Sequence, residues 1–327
     1  TQLGSVEPSY KPGVHLTDLS SALPDYAIAA MREAIPAFDR QTKGFNLYDR
    51  LTDAGIDCVV IPPHMVTQPK VSKVKTDRRD ANRLAIILEN GDFKDACCVP
   101  DRERREDRQI SRTLIGIQKD LIRVKNRIHK FIDFHGIEVS LRGYWGRDEL
   151  RILKELPLEG PLKTSFDVLL TQLEELTCHQ TTLRNGLRAL CQKPRYKKAF
   201  DIARGLPGIG WFTAIRLILE LGEDLSRFTT GEKVASFVGL TCSEYSSGES
   251  ECKGRITGMG SGFIRGVLIE NSWIAMKRDP VLLAKFSRVW RSSGSKKKAI
   301  VAVARMLIVR LRACVVSGTP YVMGTVR

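Results

Sequence analysis

From Ile110 to Phe131 apolar residues recur at alternating intervals of four and three: Ile110, Leu114, Ile117, Leu121, Val124, Ile128 and Phe131. A strand alternates every second residue, so this rhythm commits the stretch to a long helix whose single apolar seam needs a partner. The same rhythm returns in Leu169, Leu173, Leu176, Gln180, Leu183, Leu187 and Leu190. Gln180 is the polar member of that second seam, suited to fixing register or marking a weaker contact. With the irregular stretch Gly143–Pro161 between them, the two segments predict an antiparallel coiled-coil hairpin.

The flanks read differently. Residues 1–30 lack apolar periodicity and contain Pro8, Pro12 and Pro24. Phe45, Leu47, Tyr48 and Leu51 then suit a short amphipathic helix ended by Gly55, and Asp57–Ile61 reads as a buried strand before Pro62-Pro63. A helix–strand–helix order of this kind is typical of α/β folds. Beyond residue 203, Leu206-Pro207-Gly208-Ile209-Gly210 precedes a helix predicted over Trp211–Leu221. A Gly-x-Gly turn entering a helix exposes backbone N–H groups and a positive helix end, which suits a phosphate, as in a helix-hairpin-helix DNA-binding turn. The same glycines also suit a merely tight turn. A last long helix is predicted around Ala299–Val316, opened by the run Lys296-Lys297-Lys298.

Charge separates the chain into two parts. The net charge is +15, yet residues 1–90 hold 11 Lys and Arg against 11 Asp and Glu. The whole excess therefore lies beyond residue 90, which suits a polyanion-binding surface joined to a neutral part. In the first long helix Arg112, Lys119, Arg123, Lys125, Arg127 and Lys130 face a single acid, Asp120, between Ile110 and Lys130. Such a run reads as a nucleic-acid face or as a solvated surface. The eight cysteines show no Cys-x-x-Cys pair, so free thiols in a reducing compartment are expected. No apolar run reaches the roughly 18 residues of a membrane span, and no secretory leader is visible. A cytoplasmic protein without membrane partners is expected.

The neutral part holds one chemically suggestive motif, Lys75-Thr76-Asp77-Arg78-Arg79-Asp80-Ala81. If these residues open a helix, Asp77 and Asp80 share a face and can share a metal ion. Oxygen-only ligands suit Mg²⁺, and Mg²⁺ among cations suits phosphodiester chemistry. Asp77 as a helix N-cap with Asp80 as a first-turn acid is the competing reading.

Four segments in this order carry a resemblance: Val74–Leu84 (VKTDRRDANRL), Gly205–Ala214 (GLPGIGWFTA), Val238–Gly248 (VGLTCSEYSSG) and Gly254–Gly260 (GRITGMG). Together they resemble the insertion-sequence-110 group of transposases, DEDD recombinases guided by a bridge RNA. The resemblance implies an incomplete RNase H/RuvC-like α/β domain over residues 1–92, a coiled-coil region over 93–200 and a mainly helical C-terminal transposase domain over 201–327. It implies Mg²⁺, donor and target DNA, a non-coding guide RNA, and assembly into dimers or tetramers.

Residue by residue, the resemblance gives Asp77 and Asp80 as the last two acids of the family's four. Asp39 is the second, five residues before Gly44-Phe45, where the family has Glu. The first acid belongs on an opening strand further upstream. Asp18 does not serve, because the stretch from it to Asp39 cannot hold three strands of about five residues and their connections. The resemblance gives Ser247 as the nucleophile, although spacing alone reads Ser246-Ser247-Gly248 as a turn. No histidine lies near it in sequence, so activation falls to the metal site or to cations such as Lys253 and Arg255. Lys75, Arg123, Arg127, Gly208, Gly210, Lys253, Arg255, Lys296 and Lys297 are the expected nucleic-acid contacts. Three residues depart from the family pattern: Cys242 for Pro, Gly258 for Lys and Ser261 for Asn. The reading is therefore an RNA-guided DNA recombinase with serine chemistry. The alternative is an inactive nucleic-acid-binding remnant of one.

Overall fold

The structure, a computed structural model, describes residues 45–60, 85–86, 89–90, 98–141, 143, 145–244 and 253–324. They fall into two units, 1–101 and 102–327.

In the first unit, helix α1 (Asn46–Asp53) has the predicted register. Gly55 ends it at φ +76°, with the Ile56 N–H donating to Leu51 O at 2.9 Å. That is the left-handed helix stop for which glycine is the default residue. The buried strand expected at Asp57–Ile61 does not form within the described residues. Residues 57–60 carry no strand pairing, and Val59 is 45 % exposed. An apolar run becomes a strand only where a neighbour completes its ladder, and no described residue does so. The RuvC-like expectation otherwise falls outside the described residues.

The second unit is helical. α2 (Arg102–Phe134) and α4 (Gly160–Gln192) each have 33 residues, hence about 50 Å of rise. They pack along one another in opposite directions: Gly186 faces Ile110 near one end, and the Phe131 and Phe166 rings meet at 5.0 Å near the other. The predicted seam is what they bury. Leu114, Leu121, Val124 and Ile128 are at most 5 % exposed, against Leu173 and Leu187 at 2 % or less. Gln180 is half-buried. The stretch expected to be irregular contains a further helix, α3 (Arg147–Lys154), which buries Leu153 against the outer half of the pair. Its single amphipathic turn or two is too short to register as periodicity.

At its base the pair runs into a helical bundle: α5 (Pro194–Arg204), α6 (Trp211–Leu221), α7 (Gly231–Val238), α8 (Gly262–Arg278), α9 (Pro280–Ser293) and α10 (Lys296–Ser317). Pro194 opens α5 and forbids α4 from continuing. α6 is buried from Ala214 to Leu221, and α10 buries Ile300, Val303, Leu307 and Leu311 against α5, α7, α8 and α9. Side-chain caps set the starts of α7, α8, α9 and α10: Thr230, Ser261, Asp279 and Ser295 each accept a first-turn N–H.

Long-range ion pairs join α2 to the bundle. Arg104 donates to Leu219 O at 3.2 Å and to Glu220 O at 3.1 Å, satisfying the final carbonyls of α6. Glu220 also accepts from Arg108 and from Arg112. Burial pushes its carboxyl up, but the two guanidiniums outweigh this and hold it below the usual range. Asp107 accepts from Lys193 and from the Tyr196 hydroxyl, each at 2.8 Å.

Candidate nucleic-acid interface

After α7 the chain turns through Gly239 into a two-stranded antiparallel hairpin, β1 (Cys242–Glu244) and β2 (Lys253–Ile256), with Cys242 opposite Ile256 and Glu244 opposite Lys253. Ser247 falls between the two strands in sequence and lies outside the described residues. The stem is described, and two glycines lock it. Gly239 stands at φ +76°, and a Cβ there would sit 1.9 Å from Met259 O. Gly260 stands at φ +84°, and its Cβ would sit 2.3 Å from Phe237 O. The chain entering β1 and the chain leaving β2 therefore touch backbone to backbone. The Thr257 N–H donates to Thr241 O at 3.0 Å, and Arg265 of α8 donates to Met259 O at 3.3 Å, closing the stem.

The three departures from the pattern that the resemblance implies sit at or beside this stem. Ser261 caps α8 by accepting the Ile264 N–H at 3.3 Å, a task for which Asn and Ser are nearly equivalent. Gly258 has φ +69° and no atom within 4 Å of a Cβ position, so glycine relaxes the backbone without being required for packing. Cys242 is exposed on β1.

The glycine turn before α6 divides its labour. Gly208, at φ +78°, lets the turn lie on α8, where a Cβ would be 2.6 Å from Asn271 O. Gly210 has open space around it and caps α6 without any side chain, leaving the first N–H groups of that helix available. Sequence alone did not separate the packing glycine from the open one.

Of the remaining candidates, Arg127 is exposed on α2. Arg123 is exposed but pairs with Asp120. Arg255 is exposed on β2, and Lys253 begins that strand. Lys296 and Lys297 are exposed in the first turn of α10, with the Lys296 ammonium 5.0 Å from the Trp290 ring centroid. Cations at the positive end of a helix repel its dipole, an arrangement that an incoming anion relieves. No Asp or Glu occurs from Pro280 to Arg327, so α9 and α10 contain no acid of their own. Asp39, Lys75, Asp77 and Asp80 lie outside the described residues. Among the described residues no three His, Cys, Asp or Glu side chains are grouped to hold a metal, and no helix is long and apolar enough to cross a membrane.

Sequence reasoning missed an arginine–aromatic ladder. Arg184 and Arg188 of α4 lie over the rings that begin α6. Arg188 is 5.0 Å from the Trp211 centroid, and Arg184 is 5.9 Å from Trp211 and 4.9 Å from Phe212. Arg216 continues it from within the core, 4.7 Å from Phe212 and 4.0 Å from Phe263. Burial lowers the Arg216 pKa to about 10, and its Nη2 has no hydrogen-bond partner among the described residues.

The bundle, the glycine-locked hairpin stem and the open helix N-terminus lie in a stretch of the chain that is similar to transposases. Residues 201–287 match the family model described as Transposase IS116/IS110/IS902 family. The chain is thereby related to the insertion-sequence-110 group of transposases. It is 25 % identical over 273 residues to a Sinorhizobium fredii protein bearing the transposase name y4qE, covering 82 % of this chain and 65 % of that protein. It is 24 % identical to the transposase for insertion sequence element IS1533 of Leptospira borgpetersenii, covering 63 % of this chain and 60 % of that one. With the transposase for insertion sequence element IS1111A of Coxiella burnetii it shares 25 % identity, covering 69 % of this chain and 61 % of that one. The chain thus spans between 60 % and 65 % of these relatives. A second family model, described as FAD-dependent protein, C-terminal domain-like, matches residues 1–54.

Proposed function

We propose that this chain is a DNA transposase of a mobile element that recombines donor and target DNA under the direction of a guide RNA. Ser247 is its nucleophile. The observation that carries the reading is the locked two-stranded stem, which lies within the 201–287 match and whose strands flank Ser247 in sequence. The serine oxygen forms an ester to the scissile phosphorus as the bond to one strand breaks. That strand departs as a hydroxyl end, taking up a proton. A hydroxyl end from the exchanged strand then attacks the same phosphorus and frees the serine. One phosphoester is exchanged for another at each step, so no external energy is required.

Asp39, Asp77 and Asp80 would supply oxygen-only donors, the kind Mg²⁺ prefers. When bound there, the ion would polarise the phosphate and neutralise its charge. Arg255, Lys296, Lys297 and the open α6 N-terminus hold phosphates without reading sequence, which base pairing with the guide would supply. Homo-oligomers would allow one copy's acids to serve another copy's serine.

The match of residues 1–54 to a different family favours a second reading, since Asp39 falls inside it. On that reading the acidic set is broken, and the chain is a nucleic-acid-binding remnant without cleavage. A donor–target recombination assay with guide RNA and Mg²⁺ separates the two. Ser247→Ala is expected to lower product by at least about a thousandfold, as loss of a nucleophile does, and to leave DNA and RNA binding intact. Equal product from both proteins removes Ser247 from the chemistry. Binding without any product from the parent leaves the remnant.

A further inference from the structure

From the arginine–aromatic ladder we infer that α4 and α6 together form a stacking platform for unpaired nucleotides. The inference rests on the proposed nucleic-acid function and names the form of strand that one surface takes.

Arg184 and Arg188 are one turn apart on α4, Arg188 exposed and Arg184 half-buried. Arg104 and Arg108 of α2 are spent on internal tasks: Arg104 on carbonyls, Arg108 on Glu220. Arg184 and Arg188 have no ion pair among the described residues and meet only aromatic faces. A guanidinium over a ring can stack on that ring with one face and receive a second π-system on the other. Trp211 and Phe212, half-buried and with ring centroids 5.5 Å apart, extend that platform. The open N-terminus of α6 begins at Trp211, so phosphate-seeking N–H groups border the stacking faces.

The two chemistries fit one partner. A strand whose bases are unpaired offers π-faces and phosphates side by side, whereas a duplex hides its base faces in the stack. The shared ligand is therefore an unpaired segment, either of guide RNA or of displaced DNA.

The test is fluorescence anisotropy of the full chain with labelled single-stranded RNA, single-stranded DNA and the matching duplexes, at one fixed salt concentration. Trp211→Leu and the double variant R184Q/R188Q are expected to lose roughly 5- to 100-fold in affinity for unpaired strands, the span of stacking losses per base, with duplex affinity little changed. Trp211→Phe keeps the π-face and is expected to bind unpaired strands within a few-fold of the parent. K296Q/K297Q removes as many charges elsewhere and is expected to weaken strands and duplexes alike. Preference for RNA assigns the platform to the guide, and preference for DNA assigns it to a displaced strand. Circular dichroism checks folding. Unchanged binding of single strands by both Trp211→Leu and R184Q/R188Q, or a loss shared equally with duplexes, overturns the inference and leaves the transposase reading standing. A parent with no affinity for any nucleic acid defeats that reading itself.

Discussion

Gly239→Ala is expected to lower stability by roughly 3–5 kcal/mol, among the largest losses a single methylene gives. Two effects combine. An alanine at φ +76° carries the left-handed penalty of about 1–2 kcal/mol. Its Cβ would also lie 1.9 Å from Met259 O and 2.5 Å from an Arg265 nitrogen, so the turn leaving β2 must move off the turn entering β1. Gly258→Ala isolates the first effect, because Gly258 has a similar φ of +69° and open space around it. It should cost only the conformational 1–2 kcal/mol. Denaturant titrations of both variants give the comparison directly, and Gly239→Ala should lower the melting temperature by on the order of 10 °C. Equal losses in the two variants would show that the backbone contact contributes nothing. The consequence is local: the two-stranded stem would loosen while the bundle stays folded.

Asp279→Ala is expected to cost a similar amount for a different reason. The Asp279 side chain is fully buried between α8 and α9. One oxygen accepts the Val281 and Leu282 N–H groups at 2.8 and 3.4 Å. The other accepts from Arg310 at 3.0 Å and from the Tyr321 hydroxyl. Removing the cap costs about 1 kcal/mol. Leaving a mostly buried guanidinium without its carboxylate raises the total to about 3–5 kcal/mol. Adding Arg310→Met should recover part of the loss, since it removes the stranded charge. A double variant no more stable than Asp279→Ala would refute that account.

Tyr321 supplies a pH signature for the same cluster. Burial first, then its bond to Asp279, push the phenol from 10.0 up to about 12. Its folded pKa is raised, so its contribution is fully present below pH 10 and is lost as pH rises towards about 12. In Asp279→Ala the alkaline loss should begin at lower pH, read by phenolate absorbance.

Much of this protein follows from local pattern. The heptad spacing of Leu114, Leu121 and Val124 selects helix and marks the buried stripe, because periodicity expresses which side of a helix faces away from water. Ser295, Asp279 and Thr230 announce helix starts, because a capping oxygen serves an N–H two or three residues away. Charge is additive along the chain, so the basic character beyond residue 90 needed no coordinates. The four resemblance-bearing segments were legible for the same reason: each is a short contiguous run.

Tertiary structure decided what depends on residues far apart in sequence. Gly208 and Gly210 look alike in a turn, and only the approach of α8 makes one a packing residue and leaves the other open. Arg104 reads as one cation in a charged run, yet it terminates α6 more than a hundred residues later. Arg184 and Arg188 carry no pattern of their own in the sequence, and only α6 lays Trp211 and Phe212 beneath them. Such partners are chosen by how helices pack, a choice made by whole buried surfaces. The residues that meet there carry no signal of their meeting.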